Sequence, residues 1–305
     1  MLSTHPLKLE ARRLPSRPTI RPQVVDSHLH LWDLKRLRYS WLTDEIVFTH
    51  VLGDYTRICR NYLLPDYLND TRDCGIIKAV HVQAATGHPN PVDETAWLQD
   101  VSDAANFTIG IVGYVDLREQ SCERVLDAHM QYPNFRGVRM LNQPGLFEDP
   151  ALHRGMHAVE ERNLIYGIDA DAPNMTGSIS LVEEFPDVQF VIDHIGFPKS
   201  TSAHYFEQWK QAIATLARSP NVACKISGLS MIYHEPSAEH FRPWVHHATA
   251  CFGAERCLFG SDWPVDSLFS DFPTLLNCYS KALPPMSSAD RHAIFGGNAE
   301  RIYRL

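Results

Sequence analysis

The sequence predicts an α/β protein that folds as one (β/α)₈ barrel of the TIM type, and three observations support this. Eight short runs of β-branched and other apolar residues follow one another along the 305 residues of the chain. Amphipathic segments lie between the runs, and such alternation indicates a parallel sheet covered by helices. Three of the runs end in histidine or aspartate, as expected when a site forms at the carboxyl ends of barrel strands.

The predicted strands are residues 24–28, 76–83, 108–115, 135–140, 164–168, 188–194, 222–226 and 257–262. After the first interval, successive strands start 24 to 35 residues apart, which leaves room for one helix in each interval. Eight such units fit one barrel better than a doubly wound protein of two domains. The first interval is longer, and we expect residues 31–75 to form an elaborated loop over the mouth of the barrel.

The intervals contain segments with the periodicity of amphipathic helices, at residues 91–106, 121–131, 202–218 and 237–252. In the first, Trp97, Val101 and Ala105 recur at the spacing of one helix face. In the second, Val125, Leu126 and His129 do the same. These segments are expected to pack on the outside of the barrel.

The first 22 residues differ in composition from the rest, with five basic residues, one acidic residue and four prolines. Proline at that density prevents a continuous helix. The pair Arg12 and Arg13 is not followed by an apolar segment, so a secretory signal is not predicted. We expect residues 1–22 to form an arm that packs on the barrel or on a neighbouring subunit of a homodimer, and residues 23–305 to form a single domain.

The composition excludes several classes of protein. Hydrophobic residues make up 44% and charged residues 21%, as in ordinary soluble globular proteins. The net charge is −8 without a basic stripe, so a nucleic-acid partner is not expected. No apolar run approaches the length of a membrane span. The seven scattered cysteines include no Cys-x-x-Cys pair, which is typical of reduced thiols in a cytoplasmic protein.

Two histidines, His28 and His30, close the first predicted strand. Side chains two positions apart on a strand share a face, so both imidazoles should point into the barrel mouth. Neutral imidazole is a good ligand for zinc and similar cations. The chain has 16 histidines, and a pair at this spacing is expected by chance alone. Its position at the carboxyl end of a barrel strand is therefore what makes it a candidate site.

Two other strand ends point to the same rim. The sixth strand ends in Asp193 and His194, and the eighth ends in Ser261 and Asp262. The carboxyl ends of all barrel strands meet at one face, so three histidines and one aspartate should converge there. The sequence thus predicts a catalytic or metal-binding cluster of His28, His30, His194 and Asp262.

Eight short motifs follow in order: residues 26–33 (DSHLHLWD), 39–42 (YSWL), 82–84 (VQA), 137–139 (GVR), 193–196 (DHIG), 225–229 (KISGL), 260–264 (GSDWP) and 297–301 (GNAER). Through these motifs the chain resembles, from Val24 to Leu305, the amidohydrolase superfamily. The resemblance is to the amidohydrolase 2 family, in the branch that contains sugar-acid lactonases and 2-pyrone-4,6-dicarboxylate lactonases. It implies an amidohydrolase-like TIM barrel and a hydrolase of carboxylic ester bonds that opens a small lactone ring.

The resemblance also implies roles for single residues. Asp262 would be the general base that takes a proton from the attacking water and returns it to the ring oxygen. His28, His30 and His194 would either hold one divalent cation, zinc first, together with Asp262 or hydrogen-bond water and carbonyl without a metal. Arg139, on the fourth strand, would polarise the carbonyl or hold a substrate carboxylate.

The chain departs from related families in two ways, which bear on the number of bound metals and on the charge of the substrate. Superfamily members with two metals usually add a bridging lysine or glutamate on strand four and histidines on strands five and six. This chain has Arg139 on strand four, and Asp169 and Asp171 without a histidine on strand five, so a binuclear centre is not expected. The resemblance implies that pyrone-dicarboxylate lactonases hold their dianionic substrate with a second arginine after strand seven. Residues 229–234 of this chain, in that segment, contain no arginine. A neutral sugar-acid lactone is therefore favoured over a dianionic one.

Several alternatives remain open at this point. One is a metal-dependent decarboxylase of a small aromatic or unsaturated acid, although such relatives generally keep a strand-five histidine. Another is a lactonase of a carboxylated intermediate of aromatic degradation, and a third is a barrel without catalytic activity.

Four more residues are candidates for substrate contact. Gln83 is expected to face inward at the end of strand two, and Tyr39 and Trp41 lie in the long first loop, where aromatic residues could line a sugar pocket. Trp263 directly follows Asp262 and could form a pocket wall. For all four, packing in the core is the competing interpretation.

Overall fold

A computed structural model describes residues 23–44, 46 and 51–305 of the chain. The predicted arm, residues 1–22, lies outside the described residues. The described part contains one sheet of eight parallel strands in sequence order, β1 to β8. The last strand returns to the first, because Leu29 and Trp263 form a parallel bridge. The predicted (β/α)₈ barrel is thereby confirmed.

The strands are β1 Val24–Leu29, β2 Ile76–Val82, β3 Ile109–Gly113, β4 Phe135–Arg139, β5 Ile165–Ile168, β6 Phe190–Ile192, β7 Val222–Ile226 and β8 Cys257–Phe259. Five of them end one to three residues earlier than predicted, and in β6 and β8 this moves a cluster residue out of the strand. The sequence analysis extended strand six to His194 and strand eight to Asp262, but both residues have left-handed backbones, with φ of 49° and 57°. A left-handed residue cannot continue a strand, so the candidate side chains lie in turns just beyond the strand ends.

The α-helices are α1 Ser40–Thr43, α2 Leu64–Asp70, α3 Val92–Ala105, α4 Cys122–His129, α5 Pro150–Glu161, α6 Met175–Glu184, α7 Ala203–Leu216, α8 Ser230–Tyr233, α9 Ala238–Phe252, α10 Phe272–Ala282, α11 Ser288–His292 and α12 Asn298–Tyr303. The four predicted helices correspond to α3, α4, α7 and α9. The predicted face of α3 was partly wrong, because Ala105 is exposed and Leu98 is buried beside Trp97. Within the described ranges, every helix is too short or too polar to traverse a lipid bilayer.

The inside of the barrel is filled with apolar side chains. One cluster of buried residues combines Val25, Val80, Val112, Ile165, Val191 and Leu258 from the strands with Ile302 and Tyr303 from α12. Each buried side chain of this size contributes roughly 1.5 to 3 kcal/mol to folding. Helix α12 therefore closes one end of the barrel, and the opposite end, where the strands have their carboxyl ends, contains the cavity described below.

The long first interval lies over that open end. It pairs with itself through an antiparallel bridge between Trp32 and Tyr62, in which each backbone N–H donates to the carbonyl of the other residue. The ring of Trp41 packs edge-on against Trp32, with ring centres 5.4 Å apart. Trp41 and Leu52 both reach the cavity. The segment is thus an elaborated loop over the mouth, as the sequence predicted.

Candidate active site

The four predicted cluster residues come together at the seam where the barrel closes. The backbone N–H of Asp262 donates to the carbonyl of His28 at 2.8 Å, and the N–H of His30 donates to the carbonyl of Trp263 at 2.7 Å. These two bonds fix the end of β1 against the turn that follows β8. His28 and His30 therefore lie beside Asp262 because of backbone pairing between the first and last strands.

One oxygen of the Asp262 carboxyl group lies at the centre of the cluster. Its Oδ1 atom is 3.2 Å from His30 Nε2, 3.7 Å from His194 Nε2 and 3.8 Å from His28 Nε2. All four residues are buried. Three histidines thus present the same ring nitrogen to one carboxylate oxygen.

Two glycines leave the space that the histidine rings occupy. A Cβ atom on Gly228 would lie 2.7 Å from Nδ1 of His194, and one on Gly260 would lie 2.8 Å from Cβ of His28. Gly228 also has a φ of +71°, which favours glycine. Any larger residue at these positions would displace a histidine of the cluster.

The turn that carries His194 is strained. His194, Ile195, Gly196 and Phe197 all have positive φ, and a φ of 54° is unusual for a β-branched residue such as Ile195. The indole N–H of Trp209 donates to the carbonyl of Ile195 at 2.7 Å and holds the turn in place. Backbone strain of this kind persists only where the surroundings fix it, and it is concentrated at functional sites.

The outer ring nitrogens of two histidines have well-defined partners. Nδ1 of His30 donates to the carbonyl of Val82 at 2.7 Å, and Nδ1 of His194 is 3.1 Å from the hydroxyl of Ser227. A carbonyl can only accept, so Nε2 of His30 carries the lone pair and faces the carboxyl oxygen of Asp262. Two acceptors 3.2 Å apart require a positive group between them, either a shared proton or a cation.

Burial controls the charges of the cluster. It lowers the pKa of His30 to about 3 and that of His194 to about 4, so both rings are neutral near pH 7. Burial also raises the pKa of Asp262 to about 6, against the opposing effects of His194 and Arg139. The cluster therefore combines neutral imidazoles with a carboxyl group that can both give up and take back a proton.

A second group of buried charges lies behind the cluster. Asp193 Oδ1 is 2.9 Å from Lys225 Nζ and 3.4 Å from His28 Nδ1, and Asp193 Oδ2 is 3.4 Å from Arg139 Nη1. Burial alone would raise the pKa of Asp193, but Lys225, His28 and Arg139 together hold it well below its ordinary value. Asp193 is thus a permanent anion between two cations.

The sequence analysis gave no role to Lys225, although a signal was present. Lys225 is the one charged residue within the otherwise apolar strand of residues 222–226. A charged side chain in a fully buried strand must have a charged partner, and this marks it as part of a site.

Some of the cluster residues fit a divalent cation. His28, His30 and Asp262 each offer one ligand atom, and these atoms all lie within 4.8 Å of one another. Imidazole nitrogen and carboxylate oxygen are ligands that zinc accepts, and the facing acceptors of His30 and Asp262 leave a place for positive charge. His194 lies on the same carboxylate oxygen but falls outside this group of three. The set is that of a single-metal site.

Three residues of the cluster form the floor of a cavity of about 600 Å³, and the fourth, His28, is buried beside Asp262. Of the predicted substrate-binding residues, Trp41 and Gln83 line this cavity, as do the cluster residues His30, His194 and Asp262. The walls further include Ser40, Leu52, Thr86, Arg139, Leu141, Asn142, Asp169, Asp171, Phe197, Lys199, Met231 and Val265. The cavity is large enough for one small organic molecule.

The other two predicted contacts lie behind the wall. Tyr39 is fully buried, and Trp263 donates its indole N–H to Asp70 and packs edge-on against Phe272. Neither belongs to the described residues that line the cavity. In this structure both residues support the wall from behind.

Polar atoms in the cavity wall lack partners. Among the described residues, neither amide atom of Gln83 has a hydrogen-bond partner, and the same holds for Oδ1 of Asn142 and Nε of Arg139, although all four atoms are buried. An unmet buried donor or acceptor costs about 1 to 3 kcal/mol. These atoms are therefore positioned to bind a polar molecule in the cavity.

The charges of the wall are mixed. Asp169 and Asp171 face the cavity from beyond β5, and Lys199 lies 3.3 Å above the ring of Phe197. Arg139 is already engaged, since it donates to the carbonyl of Gln83 at 2.8 Å and lies against Asp193. Asn142 and Lys199 were missed by the sequence analysis, because they belong to loops in which no motif marks them.

Comparison with known proteins gives a consistent result. The chain is 40% identical over 294 residues to an uncharacterized protein, y4mH, of Sinorhizobium fredii, covering 92% of this chain and 98% of that one. It is 28% identical over 293 residues to an L-fucono-1,5-lactonase of Burkholderia ambifaria, covering 92% and 95%. An amidohydrolase of Burkholderia multivorans, solved with bound zinc, superposes with a TM-score of 0.78 at 24% identity, covering 93% and 99%.

The family itself is identified by the match to the sequence model of the amidohydrolases, the Amidohydro_2 group, which extends over residues 25–305. That match includes all eight strands and every residue of the cluster. The chain therefore belongs to the amidohydrolase family.

Proposed function

We propose that this amidohydrolase hydrolyses the lactone of a small, neutral sugar acid. The observation that carries the proposal is the Asp262 carboxyl group, which lies within 3.8 Å of the Nε2 atoms of three histidines at the floor of the cavity. A lactone carbonyl is already electrophilic, so a carboxylate base and donors for the oxyanion are sufficient to open it. The 28% identity to an L-fucono-1,5-lactonase supports the same reaction.

In the proposed reaction, Asp262 takes a proton from a water molecule, whose oxygen forms a bond to the lactone carbonyl carbon. The tetrahedral intermediate carries negative charge on the former carbonyl oxygen, which the Nε–H group of Arg139, without a partner among the described residues, would stabilise. The bond from the carbonyl carbon to the ring oxygen then breaks. Asp262 returns its proton to that oxygen, and the product is the open hydroxy acid.

The histidines keep Asp262 and the attacking water in position for the reaction. His30 is fixed by Val82, and His194 by Ser227, so their Nε2 atoms stay directed at the carboxyl group. A divalent cation held by His28, His30 and Asp262 would polarise the carbonyl and acidify the water. The zinc bound in the Burkholderia multivorans amidohydrolase supports a cation of that type.

The cavity wall supports a neutral, hydroxylated substrate. Gln83 and Asn142 offer amide donors and acceptors suited to hydroxyl groups, and Asp169 and Asp171 would repel a carboxylate. Of the two cations among the described residues that line the cavity, Arg139 lies 3.4 Å from Asp193, a carboxylate that it shares with Lys225, and the other is Lys199. In the described part of the wall these two cations are offset by Asp169 and Asp171, so a dianionic lactone would gain little net attraction there and is disfavoured.

A decarboxylase is the less favoured alternative. The shared barrel supports it. Against it, β5 is followed here by Asp169 and not by the additional histidine that is expected of those enzymes. Carbon dioxide release can be measured beside acid release, so one set of samples tests both reactions.

The test is a panel of lactones in weak buffer with a pH indicator. The panel contains L-fucono-1,5-lactone, other sugar-acid lactones and 2-pyrone-4,6-dicarboxylate, each with and without a chelator. We expect acid release from a few sugar-acid lactones. Asp262→Asn serves as the inactive variant, and Asp127→Asn, an aspartate of α4 that pairs with Arg162 on the protein surface, is the matched control.

The outcomes separate the hypotheses. Turnover that is lost in Asp262→Asn and kept in Asp127→Asn supports the proposal. Acid release from the dicarboxylate alone would contradict the neutral substrate, and carbon dioxide release from an aromatic acid without any lactone turnover would contradict lactone hydrolysis.

A further inference from the structure

His28 and His30 lie two residues apart at the end of β1, yet their outer nitrogens have opposite partners. Nδ1 of His30 lies 2.7 Å from the carbonyl of Val82, and Nδ1 of His28 lies 3.3 Å from Nζ of Lys225. A carbonyl can only accept a hydrogen bond and an ammonium can only donate one. These two partners favour opposite tautomers, with the proton of His30 on Nδ1 and the proton of His28 on Nε2.

Lys225 is placed to dominate this choice. The carboxylate of Asp193 is the other group near Nδ1 of His28, at 3.4 Å, and it could accept a proton from that nitrogen. The same oxygen is bound more closely by Lys225, at 2.9 Å. Nζ of Lys225, Nδ1 of His28 and Oδ1 of Asp193 thus form a triangle with sides of 2.9, 3.3 and 3.4 Å, and all three side chains are buried.

The inner nitrogen of His28 shows the consequence. Nε2 lies 3.8 Å from the carboxyl oxygen of Asp262 and has no hydrogen-bond partner within the described part of the chain. A histidine binds a metal through a lone pair, and its other nitrogen then usually donates to a carboxylate or carbonyl. His30 meets that condition, whereas His28 would meet it only by turning from Lys225 to Asp193, 3.4 Å from its Nδ1.

We propose that Lys225 is a positioning residue that holds His28 in the tautomer protonated at Nε2, and so lowers the affinity of this site for a divalent cation. His28 then presents an N–H group, instead of a lone pair, towards the carboxyl oxygen of Asp262. Metal binding through His28 requires its proton to move to Nδ1 and its bond from Lys225 to break. The proposal concerns the site of the proposed lactonase but does not rest on lactone hydrolysis.

The first test uses the unaltered protein without added metal. Histidine ¹⁵N chemical shifts distinguish a protonated ring nitrogen from an unprotonated one, and the signals of His28 are identified by their loss in His28→Gln. At pH 8 we expect the proton on Nε2 in His28 and on Nδ1 in His30. A proton on Nδ1 of His28 would overturn the proposal without any further variant.

The second test removes the donor. In Lys225→Met, Asp193 becomes the partner of His28, so the proton should move to Nδ1 and the affinity for zinc, measured by calorimetry, should rise about tenfold or more. Lys78→Met is the matched control, because Lys78 is also on a barrel strand and pairs with Glu300 at 2.6 Å. It should change neither the His28 tautomer nor the zinc affinity.

If Lys225 affected zinc binding through its charge alone, Lys225→Met would give a different result. It would tighten zinc binding while the proton stays on Nε2, and that outcome, like an unchanged or weaker zinc affinity, contradicts the proposal. If Lys225→Met does not fold, the tautomer of the unaltered protein still decides. Neither measurement uses turnover, so failure of the lactone panel leaves this inference unaffected.

Discussion

The floor and the wall of the cavity are built in different ways. The floor consists of His30, His194 and Asp262, with His28 buried beside them, and these residues lie at or directly after the ends of β1, β6 and β8. The wall is formed largely by loops, with Trp41, Asn142, Asp169 and Lys199 among its residues. Strand ends are fixed by the sheet, while loops can change without disturbing it. Under the proposed function, the floor would carry out the reaction and the wall would select the substrate.

The two regions also differ in how their polar groups are satisfied. Behind the floor, Asp193 binds both Lys225 and Arg139, and the outer nitrogens of all three histidines lie close to a partner. In the wall, the amide atoms of Gln83 lack partners among the residues that the structure describes. The floor is therefore preorganised, whereas the wall reaches its best hydrogen bonding only with a molecule in the cavity.

The largest expected effect comes from breaking the floor. Asp262→Asn keeps the size of the side chain but removes the base, so we expect kcat to fall by about 10³-fold or more. Far-UV circular dichroism and the unfolding midpoint should stay near those of the unaltered protein. Activity close to the original value would remove Asp262 as the base.

A wall residue should affect binding and stability in opposite directions. Gln83→Leu removes two unmet buried polar atoms, so we expect the free energy of unfolding to rise by about 1 kcal/mol. The same change should raise KM by about 10- to 100-fold, because hydrogen bonds to the substrate are lost. KM comes from the lactone assay and stability from urea titration. A less stable variant with unchanged KM would mean that Gln83 is structural.

A smaller effect is expected from the charge of the wall. Asp169→Asn removes an acid that faces the cavity, so carboxylated lactones should bind several-fold better while kcat for a neutral lactone stays the same. The measurement is the ratio of kcat/KM for a carboxylated and a neutral lactone. An unchanged ratio would show that Asp169 does not take part in substrate selection.

Substitution of His129, a histidine outside the cavity, should change the pH dependence of stability without changing activity. His129 is buried, with Nδ1 2.8 Å from the hydroxyl of Thr95 and Nε2 3.2 Å from the carbonyl of Tyr114. Burial lowers its pKa to about 4, so the unfolded chain takes up a proton first as the pH falls below 6.5. Stability is therefore lost between pH 6.5 and 4.

His129→Gln removes that contribution while an amide can still bond both partners. Between pH 7 and pH 5 the variant should lose about 2 kcal/mol less stability than the unaltered protein, since each pKa unit corresponds to about 1.4 kcal/mol. Urea titrations at the two pH values give the difference. Equal losses in both proteins would show that His129 does not titrate in this range.

The strand order and the cluster could be predicted from the sequence because both depend on local patterns. Apolar runs separated by amphipathic segments specify a parallel barrel, and its geometry brings together residues at the strand ends. His28, His30, His194 and Asp262 therefore lie together as expected. The predicted ends of β6 and β8 lie too far along the chain. The positive φ angles of His194 and Asp262 end these strands, and hydrophobic periodicity does not indicate the sign of φ.

The contacts of the loops could not be predicted in the same way. Tyr39, Trp41 and Trp263 are all aromatic residues near the mouth, yet only Trp41 of the three lies among the described residues that line the cavity. Which face of a loop residue meets the cavity depends on how the whole loop packs. Asn142 and Lys199 were missed for the same reason.

Periodicity and motif order were enough to specify a barrel of eight units and the residues at its catalytic rim. The fold alone decided which nitrogen of each histidine faces Asp262, because that depends on Val82, Ser227 and Lys225. Those partners are 33 to 197 residues away in the chain. Residue type determines whether a side chain can donate or accept a hydrogen bond. Only packing across the barrel determines which group is its partner.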